Sequence, residues 1–153
     1  MLYKNYIKIK FYNKIFTALQ QNFIGSLIKK GKKIVALNNW FELKRLLKKK
    51  TNKEPYLLIL IAIFNSLLKV NFIKKRFGSA RKDIPIFLKF ERQIKFGIRS
   101  FLHLSTTSKG IFLNKLVNLI CFTFKRKGPI MKKNFLIYKK AIENKVLLSF
   151  IKR

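Results

Sequence analysis

Apolar residues recur along this chain with two different periods, and the change between them divides it into helices and one hairpin. Phe16, Leu19, Phe23 and Leu27 stand three and four residues apart, the spacing of one helix face. Lys29 and Lys30 follow where a C-terminal turn favours cations, and Gly31 is the expected stop. Ala36, Trp40, Leu43 and Leu47 mark a second amphipathic helix, with Lys44, Arg45 and Lys48 largely off its apolar face. The run Lys48 to Lys53 reads as a solvated connection. Pro55 suits the first position of a third helix, where its missing N–H is not needed.

After Lys69 the helical period gives way to alternation. Residues 70–88, VNFIKKRFGSARKDIPIFL, read as a β-hairpin around Phe77-Gly78-Ser79-Ala80, apolar at its root. Lys74, Lys75, Arg76, Arg81 and Lys82 crowd its tip. A hairpin alone is marginal in water, so these charges are expected to rest against something negative; the plain alternative is a solvated loop. Three more helices are predicted, Glu91 to Leu104, Ile111 to Phe124 and Met131 to Phe150. Breaker-containing linkers at Ser105 to Gly110 and Lys125 to Pro129 separate them. The expected fold is therefore mainly α: a bundle of about six helices with a protruding β-hairpin arm between the third and fourth helices. Residues 1–22 are assigned to a basic N-terminal arm and the start of the first helix, and 23–153 to a single helical domain carrying hairpin 70–88.

Charge adds a partner to this picture. The chain holds 36 Lys and Arg against five Asp and Glu, a net +31, yet is 49% hydrophobic with 16 Phe. Disordered basic tails lack such apolar content, so a packed core and a polyanion are both implied. The longest uncharged apolar stretch, Tyr56 to Leu68, would reach about 20 Å as a helix, too short for the roughly 30 Å of a bilayer core. Ile111 to Phe124 is interrupted by Asn114, Lys115 and Asn118. An integral membrane protein is thus not expected, and the start of the chain lacks the apolar core and cleavage pattern of a secretory signal. Abundant Lys, Asn, Ile and Phe are what AT-rich codons supply, a bias of organellar genomes, and a protein made inside an organelle needs no transit peptide.

Little catalytic chemistry is available. One His, one Asp and four Glu lie scattered among lysines, which gives no paired acid and base and no acidic cluster for magnesium. His103 reads as a packing or surface residue. Cys121, between Leu119, Ile120 and Phe122, reads as a buried inert thiol; a lone cysteine also excludes an intrachain disulfide, and with His103 it cannot build a zinc site. The segment Gly25 to Lys33 fails as a phosphate loop: five residues separate its glycines, Lys33 stands where Ser or Thr is needed, and a helix leads in. No enzyme activity, cofactor, metal or small-molecule substrate is expected.

Four blocks in the right order resemble one family, the universal ribosomal protein seven of the small subunit. Residues 23–33, FIGSLIKKGKK, look like its opening helix and Gly-Lys-Lys turn. Lys75-Arg76-Phe77-Gly78-Ser79-Ala80, followed by Ile84-Pro85, is similar to its hairpin, Arg-Arg-Val-Gly-Gly-Ala and Val-Pro. Glu91-Arg92-Gln93 with Ile98-Arg99 matches the next helix, and Lys127-Gly128, Lys132-Lys133 and Ala141 with Asn144-Lys145 match the C-terminal pattern. Ser79, Phe77, Ser100 and Tyr138 depart from the usual Gly, Val, aromatic and His, in the manner of a mitochondrial version.

The resemblance implies a protein that binds small-subunit ribosomal RNA of the head domain beside neighbouring ribosomal proteins, and supports head assembly. It also implies a hairpin near exit-site transfer RNA and messenger RNA, with Gly78 and Pro85 shaping that hairpin, and a mitochondrial matrix ribosome as the location. The expected RNA-binding residues are Lys29, Lys30, Lys32 and Lys33; Lys74, Lys75, Arg76, Arg81 and Lys82; Arg92 and Arg99; and Lys132, Lys133, Lys139 and Lys145. The arginines are favoured for specific contacts because a guanidinium fork engages two acceptors at once. Adjacent Lys139 and Lys140 cannot point the same way on a helix. Two competing readings are a basic membrane-peripheral protein with amphipathic helices on anionic lipid, which leaves the hairpin blocks unexplained, and a nucleic-acid enzyme.

Overall fold

The first apolar stripe becomes helix α1, residues 17–27, in a computed structural model that describes residues 17–77, 80–107 and 109–146. Residues 1–16 of the expected arm lie outside that range, while 17–22 are already helical. Leu19, Phe23 and Leu27 are buried as their spacing requires. Gly31 adopts φ of +74°, a left-handed conformation that glycine enters without steric cost, and so redirects the chain into α2, Lys33–Thr51. Ala36, Trp40, Leu43 and Leu47 form the buried face of α2. The connection expected at Lys48 begins later than predicted. Lys48, Lys49 and Lys50 make the last helical turn, where cations complement the helix dipole, and the helix stops at Asn52 with φ of 52°.

Helix α3, Pro55–Ser66, opens on Pro55 and buries Leu58, Ile59, Ala62 and Ile63. Helices α4, Phe90–Thr107, α5, Phe112–Phe124, and α6, Pro129–Glu143, complete the six. The predicted fourth helix ended too early at Leu104. The hydroxyls of Ser105, Thr106 and Thr107 donate back to the carbonyls of Leu102 and His103, so these polar residues are satisfied without leaving the helix. The sixth helix starts at Pro129 rather than Met131 and closes at Glu143; residues 147–150 of the predicted span lie outside the described residues.

Helix α5 is the centre of the bundle, packed against α2, α3, α4 and α6. Its Leu116, Val117, Leu119 and Ile120 join Phe23, Trp40, Leu43, Leu47, Ile98, Phe101 and Ile130 in one core. Trp40 stacks on Phe23 at 5.1 Å between ring centroids with a 48° tilt, which ties α1 to α2. The partly buried ammonium of Lys44 is held nearby: it donates to the Tyr56 hydroxyl at 2.9 Å and lies 4.5 Å from the Phe41 ring centroid.

Polar side chains fix the end of the bundle from which the hairpin emerges. Asn65 Nδ2 donates to the carbonyls of Thr123 and Phe124, and Asn134 Nδ2 to that of Ser66, joining α3 to the ends of α5 and α6. At the same place Gly97 of α4 lets the helices approach: a Cβ there would lie 2.8 Å from Ser66 Oγ. Gly97→Ala is therefore expected to destabilise the protein by about 1–3 kcal/mol, the usual range for overpacking. A thermal melt unchanged from the parent protein would show that the Ser66 hydroxyl turns away from the added methyl at no cost.

The expected hairpin is present between α3 and α4. Strands β1, Val70–Phe77, and β2, Ala80–Phe87, pair antiparallel, with Val70 opposite Phe87, Phe72 opposite Pro85, Lys74 opposite Asp83 and Arg76 opposite Arg81. Opposed residues share a face, so one side of the ribbon runs from apolar at the root to charged at the tip. Gly78 lies outside the described residues; Pro85 is buried.

Candidate nucleic-acid interface

Hydrogen bonds and an ion pair close the hairpin root and fasten it to the bundle. The Leu88 N–H donates to the Lys69 carbonyl at 2.9 Å, which closes the root, and Gln93 Nε2 of α4 donates to the Leu88 carbonyl at 2.8 Å. The Lys69 N–H donates to the Tyr138 hydroxyl at 3.0 Å, linking the root to α6. Further out, Lys140 Nζ of α6 meets Asp83 Oδ2 at 2.5 Å and sits 5.1 Å from the Phe72 ring centroid. The hydrogen bond from Lys140 lowers the Asp83 carboxyl below its ordinary 3.8, an effect that partial desolvation opposes and the charges of Lys140 and Lys74 reinforce.

A carboxyl with a lowered folded pKa stabilises the fold above its unfolded value and loses that contribution as pH falls through the folded one. Asp83→Asn is thus expected to speed amide exchange of β1 and β2 at pH 7. The difference from the parent protein should shrink as the pH drops below 3.8. Equal hairpin exchange at pH 7 would show that the pair holds nothing.

The basic residues singled out in the sequence form four exposed groups. Lys29, Lys30, Lys32 and Lys33 surround the α1–α2 turn, and Lys29 and Lys32 border a cleft completed by Leu102 and Thr106 of α4 and Phe112 of α5. Lys74, Lys75, Arg76, Arg81 and Lys82 project from the outer hairpin, where Lys74, Arg81 and Lys82 line a polar cleft facing the end of α6. Arg92 and Arg99 are exposed on α4. Lys132, Lys133, Lys139 and Lys145 are exposed on and just beyond α6. Lys139 and Lys140 diverge as adjacency requires, with Lys140 turned to Asp83 and Lys139 seven residues from Lys132 on another face.

Sequence reasoning missed part of the α4 surface. Lys95 and His103 are exposed together with Arg92 and Arg99, and the intervals of three and four place all of them in one row. That row is opposite buried Ile98 and Phe101. The same interval that revealed the apolar face would have revealed the basic one. Tyr138 and Lys140 were also missed as hairpin anchors.

Among the described residues no group of His, Cys, Asp and Glu could hold a metal ion, and His103 is exposed. Cys121 is half-buried rather than fully buried, because α5 turns its edge to solvent there. Desolvation still pushes its thiol up, against the pull of Lys50 and Lys125, so the thiolate needed for reactivity is disfavoured. No described helix is long and apolar enough to cross a membrane.

The family model described as Ribosomal protein S7p/S5e matches residues 3–145, nearly the whole chain and every element above. The chain belongs to the ribosomal protein S7 family. Small ribosomal subunit protein uS7 of Pelagibacter ubique is 30% identical over 128 residues, 83% of this chain and 82% of its own length. The protein of the same name from Leptospira biflexa is 30% identical over 124 residues, covering 80% and 79%. Small ribosomal subunit protein uS7c of Ostreococcus tauri is 24% identical over 128 residues, covering 83% and 82%. Membership makes this S7 protein a non-enzymatic structural component of the small ribosomal subunit.

Proposed function

We propose that this S7 protein binds the head-domain ribosomal RNA of a mitochondrial small subunit and supports assembly of that domain, with its hairpin near exit-site transfer RNA and messenger RNA. The observation that carries the reading is the placement of charge: exposed cations at the α1–α2 turn, the outer hairpin, the α4 row and α6, all mounted on an uninterrupted apolar core. Phosphate neutralisation supplies affinity and offsets the repulsion of a net +31. Contacts to phosphate and to RNA shape dominate, since side chains do not read the deep major groove of an RNA helix. Within that surface Arg76, Arg81, Arg92 and Arg99 make the oriented contacts, and the lysines of the Gly31 turn, hairpin and α6 act as point charges.

Mitochondrial origin is supported by the codon-biased composition and by the departures at Phe77, Ser79, Ser100 and Tyr138. Two measurements test the proposal. Isolated mitochondria translating in the presence of a cytosolic ribosome inhibitor should label this chain, and it should sediment with the small subunit. Binding of the free protein to head-domain RNA should weaken with salt at a log-log slope of about −0.7 to −0.9 per phosphate contacted. Retention in the membrane fraction after removal of ribosomes, or salt-independent binding, would overturn it.

A further inference from the structure

The cleft beside the α1–α2 turn, between that turn, the end of α4 and the start of α5, has a volume of about 180 Å³. This is well below the roughly 300–1,000 Å³ of pockets that enclose a whole drug-sized ligand, so it suits a single flat ring system. Buried Leu27 and Ala36, with half-buried Leu102 and Phe112, give it apolar sides. Phe112 also packs against the core as the first residue of α5, which holds its ring in place. Two polar side chains share the cleft. The Asn39 carboxamide offers donors and an acceptor, and the Thr106 hydroxyl donates to the His103 carbonyl at 2.9 Å, which leaves its oxygen lone pairs to accept. Exposed Lys29 and Lys32 border the opening, and among the described residues no Asp or Glu does.

We propose that this cleft receives one unpaired base splayed out of the bound RNA, stacked on Phe112, with its polar edge at Asn39 and Thr106 and its flanking phosphates on Lys29 and Lys32. The inference rests on the RNA-binding reading above and adds to it a place where a base is gripped, not only phosphate and shape. A base brings all three features that the cleft asks for: a π face, a hydrogen-bonding edge and a phosphate on either side. An apolar side chain of a neighbouring protein brings no charge for Lys29 and Lys32. It would also desolvate the Asn39 amide without giving it a partner, which is costly. Paired bases are closed to such a grip, so the recognised nucleotide belongs to a loop or bulge of the head-domain RNA.

Two measurements on the full-length protein, with head-domain RNA as the probe, test this. Asn39→Ala and Phe112→Leu, the latter keeping an apolar side chain but no flat ring, should each weaken binding about tenfold at every salt concentration, the scale of one lost base contact. Neither removes a charge, so the log-log salt slope should stay at the parent value. Lys29→Ala with Lys32→Ala should instead make it shallower by about 1.4–1.8. Phe112→Tyr, which keeps the ring, should bind as the parent does. In the second measurement, chemical probing of the RNA should show one loop or bulge base shielded by the parent protein and left reactive by Asn39→Ala and by Phe112→Leu. Full affinity in both variants with the parent salt dependence intact overturns the base site and leaves the RNA-binding reading standing. A parent protein without salt-dependent binding overturns both. Loss of a neighbouring protein from the assembled subunit, with RNA affinity unchanged, would assign the cleft to a protein side chain and overturn the proposal equally. Should Phe112→Leu fail to fold, Asn39→Ala alone decides among these outcomes.

Discussion

Replacing Lys74, Lys75, Arg76, Arg81 and Lys82 together with alanine is expected to lower affinity for head-domain RNA by about a hundredfold or more at ~0.1 M salt. The estimate follows from position. All five are exposed, and the register places them on the outer half of the ribbon, Lys74 level with the Asp83–Lys140 tie and the other four beyond it. If each touches a phosphate, the log-log salt slope becomes shallower by about 3.5–4.5. The helical circular dichroism should not change, since no helix contributes to the cluster and Ile84, Pro85 and Leu88 at the root remain buried. A variant that keeps the parent slope would move the RNA surface off the hairpin; one that loses helicity would make the tip structural.

The largest expected effect on stability is at Phe101. Its ring is fully buried on α4 and belongs to the cluster shared with α5. Truncating such a ring to alanine costs about 3–5 kcal/mol in transfer and cavity terms. A domain of this length loses roughly 2–4 °C per kcal/mol, so Phe101→Ala should lower the melting temperature by about 6–20 °C. Here the loss falls on a chain whose 31 excess positive charges already oppose compaction. Added salt should therefore partly restore the free variant by screening, even as it weakens RNA binding. RNA at low salt should restore it too, because only the folded state presents the binding surface. A melting temperature within a degree or two of the parent would show that the α4–α5 contact is not a principal source of stability.

Burial left the clearest imprint on the sequence. Phe23 and Leu27, or Ala36, Trp40, Leu43 and Leu47, must share a face to reach the core, so their intervals announced the helices. The alternation at Phe72, Ile84 and Ile86 announced the ribbon. Helix ends were less legible because they depend on how polar groups are satisfied. Lys48 to Lys50 and Ser105 to Thr107 look like linker, yet the helix dipole and backbone carbonyls keep them helical. The four resemblance blocks supplied the family, which periodicity alone could not. What joins the hairpin to the body was not legible at all. Asp83 and Lys140 are 57 residues apart, and Lys69 and Tyr138 are 69, and no local pattern encodes such pairings.

The stacking of Trp40 on Phe23 has a practical consequence. Trp40 is the single tryptophan of the chain, only 2% exposed, and it sits within the core on α2, not on any of the exposed basic groups. Its emission reports whether α1 has closed onto α2, and it does so as an internal optical gauge that RNA on the hairpin leaves undisturbed. Folding of the body and occupancy of the arm can thus be followed in one sample as two separate signals.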